Sequence, residues 1–267
     1  MAGPQKRRAE QLLTIFENSS LKPAYGYAQN LNDGRGITFG RSGFCTGTGD
    51  GILVVRRYVQ LKPTGNPVAQ YLPALQRIDD AGGGGNVVGL NGFIQAVQGA
   101  GSDPLFRQAQ DEFADDLYFA PSQKLAKQLG FRLALTKAQL YDAYIQHGYS
   151  DPGYDVYPIS ANGMADWVTK HLGGSPLDGV DEKLWLVKYL ERRRWVLTQT
   201  DETWAESAPR VDVYTWISQL AGWLLDKPMQ LTWERCRPDG SRGPCQPQPL
   251  RTQLNIGGVI YGGFFLE

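Results

Sequence analysis

Beyond residue 100 the chain repeats its apolar residues at helical spacing in four successive stretches: Leu105, Phe106, Ala109, Phe113 and Leu117; Leu135, Ala138 and Ile145; Leu186, Leu190 and Leu197; Val213, Ile217, Leu220 and Leu224. Side chains three and four apart share one helix face, so each stretch predicts an amphipathic helix. Such helices bury their stripes only by packing on one another, which predicts a mainly α body. Residues 9–18 add a helix with Leu12, Leu13 and Phe16 on one face, ended by Asn18-Ser19-Ser20.

Residues 25–50 have a different texture, rich in Gly, Asn, Thr and aromatics. Asn32-Asp33-Gly34 is a hairpin-turn signal and Gly36-Ile37-Thr38-Phe39 reads as a short strand, so a small β-hairpin or ribbon is expected with Asp33 at its tip or edge. A calcium loop counted from Asn30 fails, because Arg35 falls where the sixth position needs Gly. The Gly82–Gly85 run lacks a following Gly-Lys-Ser/Thr and is expected to be a flexible loop rather than a phosphate cradle. The Pro/Gly-rich segment 226–267 carries strand-like pieces at 230–233 and 258–261, which predict a C-terminal extension forming a β-hairpin on the body. The fold class expected is therefore mainly α (α+β), with 267 residues allowing one domain of two lobes.

Lys+Arg and Asp+Glu are both 27, so no net field would draw in a polyanion, and no nucleic-acid partner is expected. The longest apolar run, Ile52-Leu53-Val54-Val55, stops at Arg56-Arg57, far short of the roughly 18–20 residues that span a bilayer, so no membrane partner is expected. The basic start Met1–Arg8 is not followed by the apolar run of a signal peptide. His147 and His171 stand far apart and no Cys pair has ligand spacing, so neither a metal nor a cofactor is expected. Cys45, beside Phe44, reads as a small buried residue, whereas Cys236 and Cys245 bracket a Pro/Gly loop that an oxidising compartment could close as a disulfide.

Three helical stripes hold a charge within them: Asp142 between Ala138 and Ile145, Arg193 between Leu190 and Leu197, and Arg210 ahead of Val213 and Ile217. Buried charges must be paired or their desolvation stands uncompensated, which predicts one Arg193–Asp142–Arg210 cluster. The alternative is three unrelated charges at stripe edges with stems reaching water.

Glu17 falls at a helix C-terminus, where the negative end of the macrodipole, and burial if present, favour a carboxylic acid that keeps its proton. A solvated Glu at a helix end is the other reading. Glu17 and Asp33 together have the character needed to hydrolyse a glycosidic bond: one carboxyl donates to the leaving oxygen, and the other activates water or attacks the anomeric carbon.

The stretch Ile15-Phe16-Glu17-Asn18-Ser19, followed by Asp33-Gly34-Arg35-Gly36-Ile37-Thr38 and Gly43-Phe44-Cys45-Thr46-Gly47-Thr48-Gly49-Asp50, resembles the glycoside hydrolase family 46 chitosanases. Leu140-Tyr141-Asp142-Ala143, Gln146-His147-Gly148, Leu190-Glu191-Arg192-Arg193 and Arg210-Val211-Asp212 are similar to later motifs of that family in the same order. The resemblance covers residues 12 to about 225. It implies a lysozyme-like two-lobed fold with the β-hairpin lining a cleft, and an endo-acting, inverting hydrolase of β-1,4-linked glucosamine polymers. Glu17 is then the general acid, Asp33 the general base and Thr38 a holder of the attacking water, with the carboxyl groups about 6.5–9.5 Å apart.

The resemblance also places Arg35 beside the base, Asp50 on a glucosamine amine, Ser19 and Tyr27 at further substrate positions, and the Asp142, Arg193, Arg210 network behind the site. Without it, Arg35 reads as a turn brace and Asp50 as an N-cap before Gly51. Tyr149, Tyr154 and Tyr157 are candidates for stacking on sugar rings. Partners are then chitosan and glucosamine oligosaccharides, acted on by a secreted monomer. The linker holding Lys22-Pro23-Ala24 is shorter than in some members, and the 226–267 extension has no counterpart. A lysozyme-like hydrolase of N-acetylated polysaccharide, a non-catalytic chitosan-binding protein and a purely structural helical domain are the competing readings.

Overall fold

The computed structural model describes residues 1–18, 20–151, 157–200, 202–231, 253–256, 259–262 and 264–267. Ser19, Tyr154, Cys236 and Cys245 lie outside them. The chain forms two compact units, one of residues 1–21 with 118–267 and the other of residues 22–117.

The first unit begins with α1 (Gly3–Asn18), six residues earlier than the apolar pattern predicts. Pro4 suits the first turn, where its missing N–H costs nothing. Beyond that the reason is tertiary: Gln5 Nε2 donates to the Leu224 carbonyl at 2.8 Å and Arg8 Nη1 to the Leu225 carbonyl at 2.9 Å, which anchors a polar segment that has no stripe of its own.

The second unit opens with an antiparallel sheet of β1 (Ala28–Asn30), β2 (Ile37–Phe39) and β3 (Phe44–Cys45), β2 in the middle. Asn30 pairs with Ile37, and Thr38 with both Gln29 and Cys45. Four helices complete the unit: α2 (Asp50–Leu61), α3 (Leu72–Asp80), α4 (Phe93–Ala100) and α5 (Pro104–Ala114). Their core contains Phe39, Phe44, Tyr58, Phe93 and Phe106. Phe39 meets Phe44 at 6.1 Å and Phe93 edge-on at 5.4 Å, while Tyr58 meets Phe106 at 4.9 Å. Each such buried ring contributes about 1.5–3 kcal/mol through apolar burial, so the aromatics of β2 and β3 root a very short sheet that would not stand alone.

A short π-helix at Asp115–Phe119 leads the chain back to the first unit. There follow α6 (Ala120–Gln128), α7 (Ala134–His147), α8 (Ala161–Leu172), α9 (Glu182–Thr200), α10 (Glu202–Ala205) and α11 (Ala208–Gln219). Two apolar clusters fill this unit, one joining α1, α7, α9 and α11, the other joining α7, α8 and α9. Helices α7 and α9 contribute to both and so bury more than one face. The fold is mainly α with one small three-stranded sheet, of the lysozyme-like kind.

The C-terminal segment pairs differently from the two strand-like pieces singled out in the sequence. β4 (Met229–Leu231) pairs with β7 (Phe264–Leu266), while β5 (Gln253–Ile256) and β6 (Val259–Gly262) form their own antiparallel pair. Buried Leu231 and Leu266 join the cluster around α1 and α11, and this burial selects the terminal strand as β4's partner. Among the described residues no helix is long and apolar enough to cross a membrane.

Candidate active site

In the second unit the turn between β1 and β2 carries Asp33. Asn30 Oδ1 accepts from the backbone N–H of Asn32 at 2.9 Å, an Asx turn that admits Asn32 to positive φ. Asp33 then braces the turn from its own side chain. Its Oδ1 accepts from the Arg35 backbone N–H at 3.1 Å, and Oδ2 accepts from Arg35 Nε at 3.0 Å and Nη2 at 2.7 Å. The Arg35 guanidinium, followed by its backbone N–H, holds the Asp33 carboxyl below its ordinary value, so it stands ionised on a turn that leaves it accessible.

The glycine run 82–85, expected to be a flexible loop, is instead packed behind this turn. Gly84 N–H donates to the Gly47 carbonyl at 2.8 Å, and Gly47 N–H donates to the Arg35 carbonyl at 2.9 Å. A Cβ on Gly47 would stand 1.9 Å from the Gly84 oxygen, and one on Gly85 would stand 3.3 Å from Gly34 Cα. Close backbone approach explains these glycines, which a search for phosphate loops does not test.

Thr38 is buried on the central strand, its hydroxyl 3.4 Å from Cys45 Sγ. Cys45 is buried and free, with its thiol also 3.3 Å from the Gly43 carbonyl. Tyr27 is exposed and donates to Gln29 Oε1 at 3.2 Å. Asp50 is the first residue of α2 rather than its N-cap; the cap is Gly49, whose φ of 82° favours glycine. Asp50 Oδ1 takes three hydrogen bonds, from Cys45 N–H at 3.1 Å, Thr48 Oγ1 at 2.5 Å and Gly51 N–H at 2.9 Å. Oδ2 has no partner among the described residues.

In the first unit Glu17 lies in the last turn of α1, about a third of its side chain exposed at 32%. The burial considered for it from sequence is therefore only partial. Instead it has a cation: Arg210 Nη1 donates to Glu17 Oε1 at 2.6 Å. Arg210 Nε donates to both oxygens of Asp142, at 2.8 and 2.9 Å, and Arg193 Nη2 reaches Asp142 Oδ2 at 2.7 Å. The three charges drawn from the stripes thus meet, with Asp142 fully buried between two guanidinium groups. Burial pushes its carboxyl up, but the charges of Arg210 and Arg193 outweigh that and hold it below the ordinary value.

Two further members, Gln146 and His147, belong to this network. Arg193 donates from Nη2 to Gln146 Oε1 and from Nε to His147 Nε2 at 3.2 Å. Burial, with the charges of Arg193 and Arg210, keeps His147 neutral well below its usual pKa, which leaves Nε2 free to accept. The signal was present in the sequence, since Gln146 sits at i+4 from Asp142 on one helix. Among the tyrosines, Tyr149 is exposed and stacks on Tyr144 at 5.8 Å, whereas Tyr157 packs on Trp195 and Arg192. Among the described residues no group of three His, Cys, Asp or Glu could hold a metal.

Residues 11–229 match the family model described as glycosyl hydrolase family 46, which leaves most of the 226–267 extension outside the match. A chitosanase of Bacillus subtilis (strain 168) is 41% identical over 237 residues, covering 85% of this chain and 81% of the relative. Among solved structures, a mutant chitosanase from Bacillus subtilis MY002 complexed with 6 GlcN matches with a TM-score of 0.79 and 34% identity, covering 100% of both chains. A Gynuella sunshinyii GH46 chitosanase in complex with chitotetraose matches with a TM-score of 0.76 and 37% identity, covering 86% of this chain and 95% of that one.

Proposed function

Because the chain belongs to glycosyl hydrolase family 46 and is a glycoside hydrolase, we propose that it is an endo-acting, inverting chitosanase that cleaves β-1,4 linkages between glucosamine units, with Glu17 as general acid and Asp33 as general base. The observation that carries the reading is the Asp33–Arg35 pair: a carboxylate kept ionised by its neighbour, yet exposed enough to take a proton from water. The relatives named chitosanase, and the solved one bound to glucosamine units, support the substrate.

In this mechanism Glu17 gives its proton to the glycosidic oxygen, which leaves with the electron pair of the C1–O bond. Water, losing a proton to Asp33, bonds to C1 from the opposite ring face, so the β-linkage yields an α-hemiacetal. Glu17 ends ionised and Asp33 protonated, and solvent restores both. Glu17 Oε1 is occupied by Arg210, leaving Oε2, which has no partner among the described residues, to face the leaving oxygen. Thr38 is assigned to the attacking water, Tyr27 to substrate contact, and Asp50, through its free Oδ2, to a glucosamine ammonium. Ser19 retains the substrate-contact role given by the resemblance. A polymer substrate points to a secreted enzyme.

A time course on highly deacetylated chitosan, with Glu17→Gln alongside, tests the reading. Short oligomers released first as α-anomers by NMR, and absent from the variant, are expected; β-anomers would refute inversion, and full activity in Glu17→Gln would refute the acid. Asp50→Asn is expected to raise KM for glucosamine hexamer by about ten-fold with little change in kcat, since it removes a charge-assisted contact to the amine. Equal turnover of the N-acetylated hexamer by the unsubstituted chain would favour the lysozyme-like alternative.

A further inference from the structure

Helices α8 and α9 line an open cleft of about 590 Å³, with Trp167, His171 and Leu172 on one side and Lys188, Arg192 and Trp195 on the other. No residue of the proposed hydrolytic machinery lines it. Arg192 is only 8% exposed, and its carbon is held 4.4 Å from the Trp167 ring, 4.3 Å from Trp195 and 5.5 Å from Tyr157. Among the described residues its Nε has no hydrogen-bond partner and no carboxylate pairs with it. Ring faces stabilise a cation electrostatically but give its N–H groups no strong acceptor, so a buried guanidinium in this setting lacks the oxygen atoms it is shaped to bind.

The charges around the cleft define what those oxygens belong to. Glu191 is the one acid lining it among the described residues, and Lys188 engages it at 2.8 Å, which leaves Arg192 as the uncompensated charge. An ammonium-bearing sugar would set cation against cation here. A neutral sugar would gain only stacking. Trp195 carries Arg192 at 4.3 Å and Tyr157 at 4.6 Å yet stays 41% exposed, so part of its indole surface is open to the C–H groups of a pyranose beside a fork that suits a carboxylate. We propose that this cleft binds acidic sugars, the hexuronate units of a polysaccharide, with the pyranose on Trp195 and its carboxylate on Arg192. The site is thus opposite in charge preference to that proposed for hydrolysis, and it stands independently of that reading.

Trigalacturonate titrated into the full chain, followed by calorimetry and tryptophan fluorescence, tests it against cellotriose, with triglucosamine titrated into the Glu17→Gln chain. Saturable binding of trigalacturonate is expected, with cellotriose weaker by about ten-fold or more because it lacks the charge-assisted contact. Arg192→Met, which keeps an apolar stem, and Trp195→Ala, each checked for an unchanged fold by circular dichroism, should each weaken trigalacturonate by about ten-fold. Absence of saturation, cellotriose binding as tightly, or full affinity in Trp195→Ala would overturn the site. Loss of triglucosamine binding in Trp195→Ala would reassign the cleft to amino sugars and overturn the charge argument.

Discussion

Arg210 grips Asp142 through Nε on both carboxylate oxygens, at 2.8 and 2.9 Å, inside a core from which Asp142 is fully shielded. Because Arg193 closes the other side of the same carboxylate, Asp142 is the negative charge shared by two buried guanidinium groups, of which Arg210 also reaches Glu17. Removing it leaves two like charges without solvent. Asp142→Ala is therefore expected to cost about 3–5 kcal/mol, whereas Asp142→Asn, which keeps an acceptor, should cost less. A denaturant melt of Asp142→Ala shifted by less than about 0.5 kcal/mol would contradict the buried network.

Arg35→Ala removes the first and largest cause that holds the Asp33 carboxyl down. With Asp33 as the proposed base, activity requires it ionised, so kcat is expected to fall as pH drops through its pKa, and the acid limb of the kcat profile should move to higher pH in the variant. Asp33→Asn should lower kcat by about 10²–10⁴ at every pH. An unmoved acid limb in Arg35→Ala would separate Asp33 from the base.

Gly47→Ala places a methyl where the Gly84 carbonyl now stands, 1.9 Å from the ideal Cβ. The run behind the Asp33 turn must shift, at a cost of about 1–3 kcal/mol, and kcat is expected to fall more than KM changes. Gly99→Ala, in open space on α4, should leave both unaltered. Equal kinetics for the two variants would show that the packed glycines do not position the turn.

Asp103 caps α5 through Leu105 N–H at 2.9 Å while accepting from Lys62 Nζ at 2.6 Å and Tyr58 Oη at 2.7 Å. The Lys62 hydrogen bond, then that of Tyr58, lowers its pKa from 3.8 to about 2. A depressed carboxyl stabilises the fold above its unfolded pKa and loses that contribution as pH falls through the folded one, so the window lies between about 4 and 2. Asp103→Asn keeps the cap and removes the titration. Its stability should be lower by about 1 kcal/mol at neutral pH and should lose less than the parent's between pH 4 and 2; parallel acid melts would argue against the linkage.

Periodicity in the sequence located α5, α7, α9 and α11, because a stripe repeating every three to four residues has one way to be buried. It did not show α6 or α8, and it ran past the end of α11 at Gln219, where Leu220 and Leu224 are exposed. The charges inside those stripes pointed inward for the same reason, and Asp142, Arg193 and Arg210 do meet. The Asn-Asp-Gly signal located the turn that carries Asp33, since turn chemistry is local.

What only the tertiary structure decided depends on partners far away in the chain. The first six residues of α1 are helical because Gln5 and Arg8 find carbonyls at 224 and 225. Gly82–Gly85 is a packed wall because Gly47 approaches it, and Tyr157 leans on Arg192 and Trp195 because α9 presents them there. Glu17 stays partly exposed, with Arg210 as its neighbour, although its place at the end of a helix was legible from sequence. Local patterns fix dihedral preferences and faces; burial and pairing are properties of contacts between distant residues, and those form only when the chain has folded.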